Sequence, residues 1–303
     1  MKIKLKNIGT TLKTAFKEWF AMDPFRQSAI IAYYSIFSLP GLLVLIITVA
    51  GYLWGADAVS ARVFQQVSAT MGADTAEQIR VMIEKASATK DSLIASIIGV
   101  VTIIVGATGV LAQFQKTLNI IWEVKTDPKK SGIWSVVKVR LFSFGLILSV
   151  AFILMISFVI SSTLAALGDW MHSHFPDALL VLFQALNFII TLSILSFIFA
   201  LMFKFFPDAQ IKWRHVWIGA VVTALLFEIG EFALGLYFGK AEPGEGYGAA
   251  ASIILILLWV SYSSMIVFYG AEFTKAYANE IDGAVRPDEN ARRDKERKQV
   301  RKE

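Results

Sequence analysis

Six long stretches without lysine or arginine dominate the pattern of apolar and polar positions along this chain. They cover residues 27–56, 92–115, 141–168, 178–203, 215–239 and 246–271. A helix needs about 20 apolar residues to cross a hydrocarbon core of about 30 Å, so each stretch is long enough to span a bilayer. The pattern predicts an all-α integral membrane bundle of six transmembrane helices over residues 25–280. A basic segment, residues 1–24, precedes this domain, and a charged tail, residues 281–303, follows it.

Composition and charge agree with a membrane protein. The chain is 56% hydrophobic with a mean hydropathy of +0.59, too apolar for an ordinary soluble domain. Of its 29 lysines and arginines, the N-terminal segment, the second and fourth loops and the tail hold 24, and the alternate loops hold five. Cytoplasmic loops carry this excess, so we expect both termini in the cytoplasm. Attraction to anionic lipids explains the basic loops more simply than nucleic acid does.

Local signals define the first span and its flanks. Asp23 is a candidate N-cap, and Pro24 follows at the first helical position. Pro40-Gly41 predicts a kink or a break, either at a binding site or from plain packing. Residues 13–20 are expected to form a short interfacial helix, with Trp19 at the level of the lipid headgroups.

Two connecting segments give further expectations. Apolar residues recur at spacings of three and four in the first outer loop, residues 57–91, and predict two short amphipathic helices there. The tail from Arg286 has eight basic and five acidic residues with few hydrophobic ones. This composition predicts a disordered or loosely helical segment.

An acid pair in the fifth span is the strongest candidate site. Glu228 and Glu231 are three residues apart on one helical face, and none of the six spans contains a basic residue to neutralise them. A charge at such depth is costly unless it is paired, protonated or hydrated. The pair therefore indicates either a proton or cation site beside a polar cavity, or protonated carboxyls bonded to hydroxyls as structural contacts. Glu228 is the stronger candidate, because Glu231 can reach towards the outer interface.

Hydroxyl-rich faces supply further candidates for the cavity wall. These are Tyr34, Ser35, Ser38 and Tyr262. Hydroxyls also form hydrogen bonds between helices in membranes. Helix packing is therefore a sufficient explanation for each of these residues taken singly. Tyr247-Gly248 indicates either an outer gate or a tight turn. Glu272, at the inner end of the last span, is expected to pair with Lys275 or with basic residues of the inner loops rather than to act as a gate.

Metal and cofactor chemistry has little support in the sequence. His172 and His174 lie near Asp169 and Asp177 on an outer loop, where solvated histidines are the simpler interpretation. The chain contains no cysteine, which excludes disulfides and thiol chemistry. It also contains no P-loop, G-x-S-x-G or H-E-x-x-H motif. We therefore expect no metal, no cofactor and no enzymatic activity.

Several local patterns, taken together in their order, resemble the YihY/BrkB family of bacterial inner-membrane proteins. They are Ala32-Tyr33-Tyr34-Ser35 with Ser38-Leu39-Pro40, Leu118-Asn119-Ile120-Ile121-Trp122, Phe206-Pro207-Asp208-Ala209 with Trp213-Arg214, Tyr247-Gly248, Leu258-Trp259-Val260-Ser261-Tyr262-Ser263-Ser264, and Gly270-Ala271-Glu272-Phe273. The resemblance implies a six-span helical inner-membrane protein. Members have carried an old ribonuclease label and names linked to virulence, and a transporter role is suspected for them. The family offers no agreed catalytic residues.

These observations favour a transporter, or a translocator of lipid or small solutes, with a polar cavity near the acid pair. The alternative is a non-transporting scaffold or envelope-assembly factor. A membrane-bound ribonuclease has the least support. The expected partners are the bilayer itself, with anionic lipids at the basic inner loops, and a lipid or small-solute substrate, but no nucleic acid.

Overall fold

Eight helices and four short strands make up the described part of the chain, residues 5–88, 109–127, 177–241, 247 and 250–294 of a computed structural model. The helices are α1 (Leu5–Ala21), α2 (Pro24–Trp54), α3 (Ala56–Met71), α4 (Ala73–Ala88), α5 (described over residues 109–121), α6 (Asp177–Phe205), α7 (Trp213–Ala241) and α8 (Ala251–Asp282). The strands are β1 (Val124–Thr126), β2 (Ala209–Gln210), β3 (Arg286–Pro287) and β4 (Ala291–Arg293). The predicted span at residues 141–168, and most of that at 92–115, lie outside this part.

Within the described residues, three helices are long and apolar enough to cross a membrane, which confirms a largely helical membrane protein. They are Ala185–Phe205 within α6, Trp213–Phe238 within α7 and the whole of α8. These correspond to the fourth, fifth and sixth predicted stretches. The 32 residues of α8 give a helix about 48 Å long, more than a hydrocarbon core of about 30 Å requires. Its charged end, from Glu272 to Asp282, therefore extends beyond its apolar part.

The start of α2 follows its local signals. The Asp23 side chain accepts a hydrogen bond from the backbone N–H of Arg26, and Pro24 occupies the first turn, which confirms the predicted cap. The helix then continues through Pro40 and Gly41 to Trp54 without a break, while the alternative of a kink there stays a prediction. A proline removes only one backbone hydrogen bond, and the turns on both sides of it maintain the helix.

The predicted short helices are present. Residues 13–20 belong to the longer helix α1, which lies along α8: the Trp19 indole N–H donates to the Met265 carbonyl at 3.0 Å, and the Tyr269 hydroxyl donates to the Leu12 carbonyl at 3.2 Å. In the first outer loop, α3 and α4 confirm the two predicted helices. They pack against each other and against α2.

A reciprocal glycine–threonine contact sets the crossing of α7 and α8. A Cβ atom added to Gly219 would lie 1.8 Å from Thr274 Oγ1, and one added to Gly270 would lie 1.9 Å from Thr223 Oγ1. Each threonine hydroxyl donates to a carbonyl four residues earlier in its own helix, Thr223 to Gly219 and Thr274 to Gly270, both at 2.7 Å. Both hydroxyls are thus satisfied within their own helices while the two backbones approach closely, as small residues allow in membranes.

The charged tail pairs with two connecting segments, so the prediction of a disordered or loosely helical tail is wrong for its described part. Strand β4 pairs antiparallel with β1, and β3 pairs antiparallel with β2. Backbone hydrogen bonds hold such short strands without apolar side chains. Composition could not indicate this, because the partner strands lie far away in sequence. We call the end of the bundle that carries these strands the basic end.

Asp208 connects the elements of the basic end. Its carboxylate accepts hydrogen bonds from Gln115 at 3.1 Å, Asn119 at 2.9 Å and Thr126 at 3.0 Å. Its backbone N–H donates to the Asn119 side chain at 2.8 Å, and its carbonyl accepts from Asp288 N at 3.0 Å. The turn that follows α6 is therefore hydrogen-bonded to α5, to β1 and to the tail. The hydrophobic core lies beside it, with Leu118, Phe203, Val216 and Phe268 fully buried.

Replacing either crossing glycine with alanine should destabilise the bundle. Gly219→Ala or Gly270→Ala is expected to lower the free energy of unfolding by about 1–3 kcal/mol, because the added methyl group overlaps a threonine of the opposite helix. Thermal unfolding in detergent micelles measures the loss. Gly235→Ala is the matched control on α7, since no described atom lies within 4 Å of its added Cβ. Equal unfolding temperatures for all three variants would contradict this packing.

Candidate functional site

The acid pair lies on α7, and both of its side chains are half-buried. Neither Glu228 nor Glu231 makes a hydrogen bond or ion pair with another described residue, and the charged neighbour of Glu231 within this part is Glu228 itself. Two like charges one helical turn apart repel each other. The arrangement therefore favours uptake of a proton or a cation by the pair.

The two acids lie on the same side of the packed face of α7. A Cβ atom added to Gly230 would lie 2.4 Å from Ile266 Cδ1 and 3.2 Å from the Tyr262 hydroxyl, so Gly230 faces α8. At about 100° per residue, Glu231 lies about 60° around the helix from the buried Leu234, and Glu228 about 120°. Glu231 is therefore the acid closer to the packed face. Within the described chain, Tyr262 contacts the backbone between the acids without bonding to either.

The candidates on α2 have packing roles and lie apart from the acid pair. The Tyr34 ring rests on Gly109 of α5, where an added Cβ would be 2.8 Å from Tyr34 Cδ1. Ser38 is buried, and its hydroxyl donates to the carbonyl of Ser35 at 3.2 Å within the same helix. Helix α8 packs extensively against both α2 and α7. Among the candidates in the described part, Tyr262 contacts α7 beside the acid pair, at Gly230.

The remaining candidates can be placed only in part. Tyr247 is exposed, at 58% of its surface, and Gly248 lies outside the described residues. His172 and His174 also lie outside them. Pro40 and Gly41 are inside α2. No group of three or more metal-ligating side chains is found in the described ranges.

Glu272 belongs to a buried charged cluster, which confirms its expected pairing with Lys275. The Lys275 ammonium lies 3.3 Å from Glu272 Oε2, 3.1 Å from Glu18 Oε2 and 3.4 Å from Glu123 Oε1. Lys275 and Glu272 are only 5% and 3% exposed. Their partners come from α1 and from the turn before β1. One ammonium thus joins three separate elements.

Three carboxylates from different elements surround this one ammonium, so repulsion between them acts against its attraction for each. Glu123 reaches Lys275 from a left-handed backbone conformation, with φ of 55°, which is rare for a residue with a side chain. Neither Glu18 nor Glu123 was a sequence candidate, because both are distant from Lys275 in sequence. The sequence feature that could have indicated this cluster is Lys275 itself, a cation one turn after the last apolar stretch.

A second charged cluster forms where α8 ends. The Asp282 carboxylate accepts from His215 Nε2 at 2.6 Å and pairs with Lys212 at 3.0 Å and with Arg214. Asp282 lies beyond the apolar part of α8. The hydrogen bonds from His215, Arg214 and Lys212 hold the pKa of this carboxyl well below its usual range. Asp282 thus stays ionised at neutral pH and anchors the start of α7 to the end of α8.

Removing the Lys275 ammonium should destabilise the protein strongly. Lys275→Met leaves three carboxylates without their shared cation, and we expect a loss of about 3–5 kcal/mol in the free energy of unfolding. Adding Glu272→Gln to this variant should restore part of the loss. Chemical denaturation in micelles measures both, with the exposed Lys116→Met as control. A Lys275→Met variant as stable as that control would disprove the role of the cluster.

Comparison with known proteins places the chain in a family of membrane proteins. The family model described as "Virulence factor BrkB" matches residues 15–296. A "UPF0761 membrane protein" of Verminephrobacter eiseniae is 28% identical over 193 residues, which are 62% of this chain and 43% of the relative. One from Pseudomonas aeruginosa is 32% identical over 180 residues, 57% of this chain and 40% of the relative.

A third relative, from Alteromonas mediterranea, is 29% identical over 184 residues, 59% of this chain and 58% of the relative. The chain thus spans about half the length of the curated relatives it matches. No solved structure matches it. The helical architecture, the apolar spans and the match over most of its length all agree, and the chain belongs to the BrkB virulence factor family of membrane proteins.

Proposed function

We propose that the protein is a six-span transporter or lipid translocator of the bacterial inner membrane, with the basic end in the cytoplasm. The sorting of lysines and arginines, 24 on one side and five on the other, supports this orientation. The strands at the basic end agree with it, because they bring the tail and two of the basic loops together. On this proposal, α3 and α4 cover the periplasmic face.

The observation that carries the proposed transport activity is the contrast between two classes of acid. At the basic end, Glu18, Glu123, Glu272 and Asp282 all have cationic partners. Glu228 and Glu231, inside an apolar helix, have none within the described part. Maintaining such a pair in a membrane costs at least about 2.5 kcal/mol per charge unless it is neutralised or hydrated. Its retention indicates a function for the pair.

The chemistry of two adjacent carboxyls indicates how the pair would act. When one takes up a proton or a cation, repulsion between the two is relieved, and the site can pass through an apolar environment. Release on the other side restores the charge. Such a cycle couples the movement of a substrate to a proton or ion gradient. Glu231 lies beside the packed face of α7, so its charge state is placed to affect the contact with α8.

The scaffold alternative draws on the same strand layer at the basic end. Hydrogen bonds and ion pairs fix the tail there, and a fixed charged surface suits a docking partner. A scaffold needs no response to an ion gradient, so transport measurements discriminate between the two functions.

Single-cysteine labelling should establish the orientation, since the natural chain has no cysteine. Ala61→Cys on α3 is expected to react with a membrane-impermeant maleimide in spheroplasts. Arg292→Cys on β4 is expected to react only after permeabilisation. Both positions are exposed in the structure, so their reactivity reports on the side of the membrane. Labelling of Arg292→Cys in sealed spheroplasts would contradict the proposed orientation.

Neutralising the acid pair should abolish gradient-driven ion movement. In proteoliposomes containing a pH-sensitive dye, the wild-type protein is expected to acidify or alkalinise the lumen when a membrane potential is imposed. Glu228→Gln and Glu231→Gln should slow this flux about tenfold or more, because an amide cannot exchange a proton at neutral pH.

The matched control is Glu84→Gln on α4, which removes an exposed carboxyl from the outer loop. Its flux should equal that of the wild type. If the wild-type protein moves no ions under any gradient, and Glu228→Gln behaves identically, the transport proposal is wrong and the scaffold alternative stands.

A further inference from the structure

A cavity of about 730 Å³ lies at the basic end, where α6 ends, α7 begins and α8 meets the tail. Lys204, Lys212, His215, Asp282 and Arg286 supply its charged and titratable lining. We propose that this cavity binds a phosphate-bearing anion from the cytoplasmic side. The inference does not depend on the acid pair: along α7, Glu228 is about 20 Å from His215 at 1.5 Å per residue.

The charge balance of the cavity favours an anion. Lys204, Lys212 and Arg286 face one carboxylate, Asp282, so the lining carries a surplus of two positive charges. A phosphate ester, with one or two negative charges, offsets part or all of this surplus through charge-assisted hydrogen bonds.

The cations are held in place by the fold. The Lys204 ammonium donates to the Ile211 carbonyl at 2.6 Å and lies 5.7 Å from the centre of the Trp213 ring. An ammonium has three donors, so this contact leaves capacity for a ligand. The backbone of Arg286 is fixed by strand β3, which pairs with β2, while its side chain is exposed. Binding therefore requires little ordering of Lys204, and this favours affinity.

His215 provides a second, independent indication of a ligand. It lines the cavity, yet it is only 2% exposed, and its Nδ1 has no hydrogen-bond partner in the described part of the chain. A buried polar atom without a partner costs about 1–3 kcal/mol. Its Nε2 lies 2.6 Å from the Asp282 carboxylate, so Nδ1 is the ring nitrogen that remains for a hydrogen bond with a ligand.

The dimensions and position of the cavity narrow the ligand class. Its volume lies within the usual range of small-molecule sites, about 300–1,000 Å³, and leaves room for an organic group attached to the phosphate. Trp213, on its wall, is the residue type found at headgroup depth in membranes. The shared chemistry is a phosphate ester, which either an anionic lipid headgroup or a soluble phosphate compound can present.

The test compares these two sources on the full-length chain. Inorganic phosphate is titrated into protein held in uncharged micelles, and binding is measured by calorimetry. In parallel, the unfolding temperature is measured in nanodiscs of phosphatidylcholine alone and in nanodiscs that also contain phosphatidylglycerol. Binding of inorganic phosphate assigns the site to soluble phosphate compounds. Stabilisation by phosphatidylglycerol without such binding assigns it to lipid headgroups.

Variants test whether the measured binding takes place in the cavity. Lys204→Gln with Arg286→Gln should weaken binding about tenfold or more, because it removes two charged donors. Lys116→Gln with Lys240→Gln removes the same charge outside the cavity and should bind as the wild type does. Should the first double variant not fold, Lys212→Gln replaces it, since that side chain is 64% exposed and its loss spares the packing. Equal binding by cavity and control variants, or no binding by the wild type, overturns the proposal.

Discussion

The close crossing of α7 and α8 determines where the other functional groups lie. Gly219 and Gly270 allow the two helices to approach until each meets a threonine of the other, and this fixes their relative register. In that register, Asp282 at the end of α8 meets His215 at the start of α7, which forms one wall of the basic cavity. Further along, the register sets Tyr262 against Gly230, beside the two acids of α7. A displaced crossing would disturb both arrangements.

Electrostatics divides the described chain into two regions. At the basic end, charged groups pair between elements: Lys275 contacts Glu18, Glu123 and Glu272, and Asp282 contacts Lys212, Arg214 and His215. Breaking such buried pairs costs about 3–5 kcal/mol, so this end is a rigid platform. The acid pair on α7 has no comparable compensation within the described residues. The proposed transport activity rests on this uncompensated pair, which lies about 20 Å along α7 from His215 at the basic end.

Local signals in the sequence predicted most of the helices. Contacts between residues far apart in the sequence could not be predicted from such signals. The Asp23 cap, the helices α3 and α4 and the apolar parts of α6, α7 and α8 follow from short-range spacing and composition. The pairing of Glu272 with Lys275 was predictable, because they lie one turn apart. The contacts of Glu18 and Glu123 with Lys275 were not predictable, since only folding brings α1 and the turn before β1 to Lys275. The tail was misjudged for the same reason, because its strand partners lie in two remote loops.

The surroundings of the acid pair in a lipid bilayer test the central claim most directly. A high-resolution electron cryomicroscopy structure of the full-length chain in lipid nanodiscs would show which atoms lie within hydrogen-bond distance of Glu228 and Glu231. The account predicts that both carboxyls border a water-filled space, with no lysine or arginine within about 4 Å. Carboxyls held in dry contact by tyrosine or serine hydroxyls of a neighbouring helix would contradict it, because the pair would then be a structural contact.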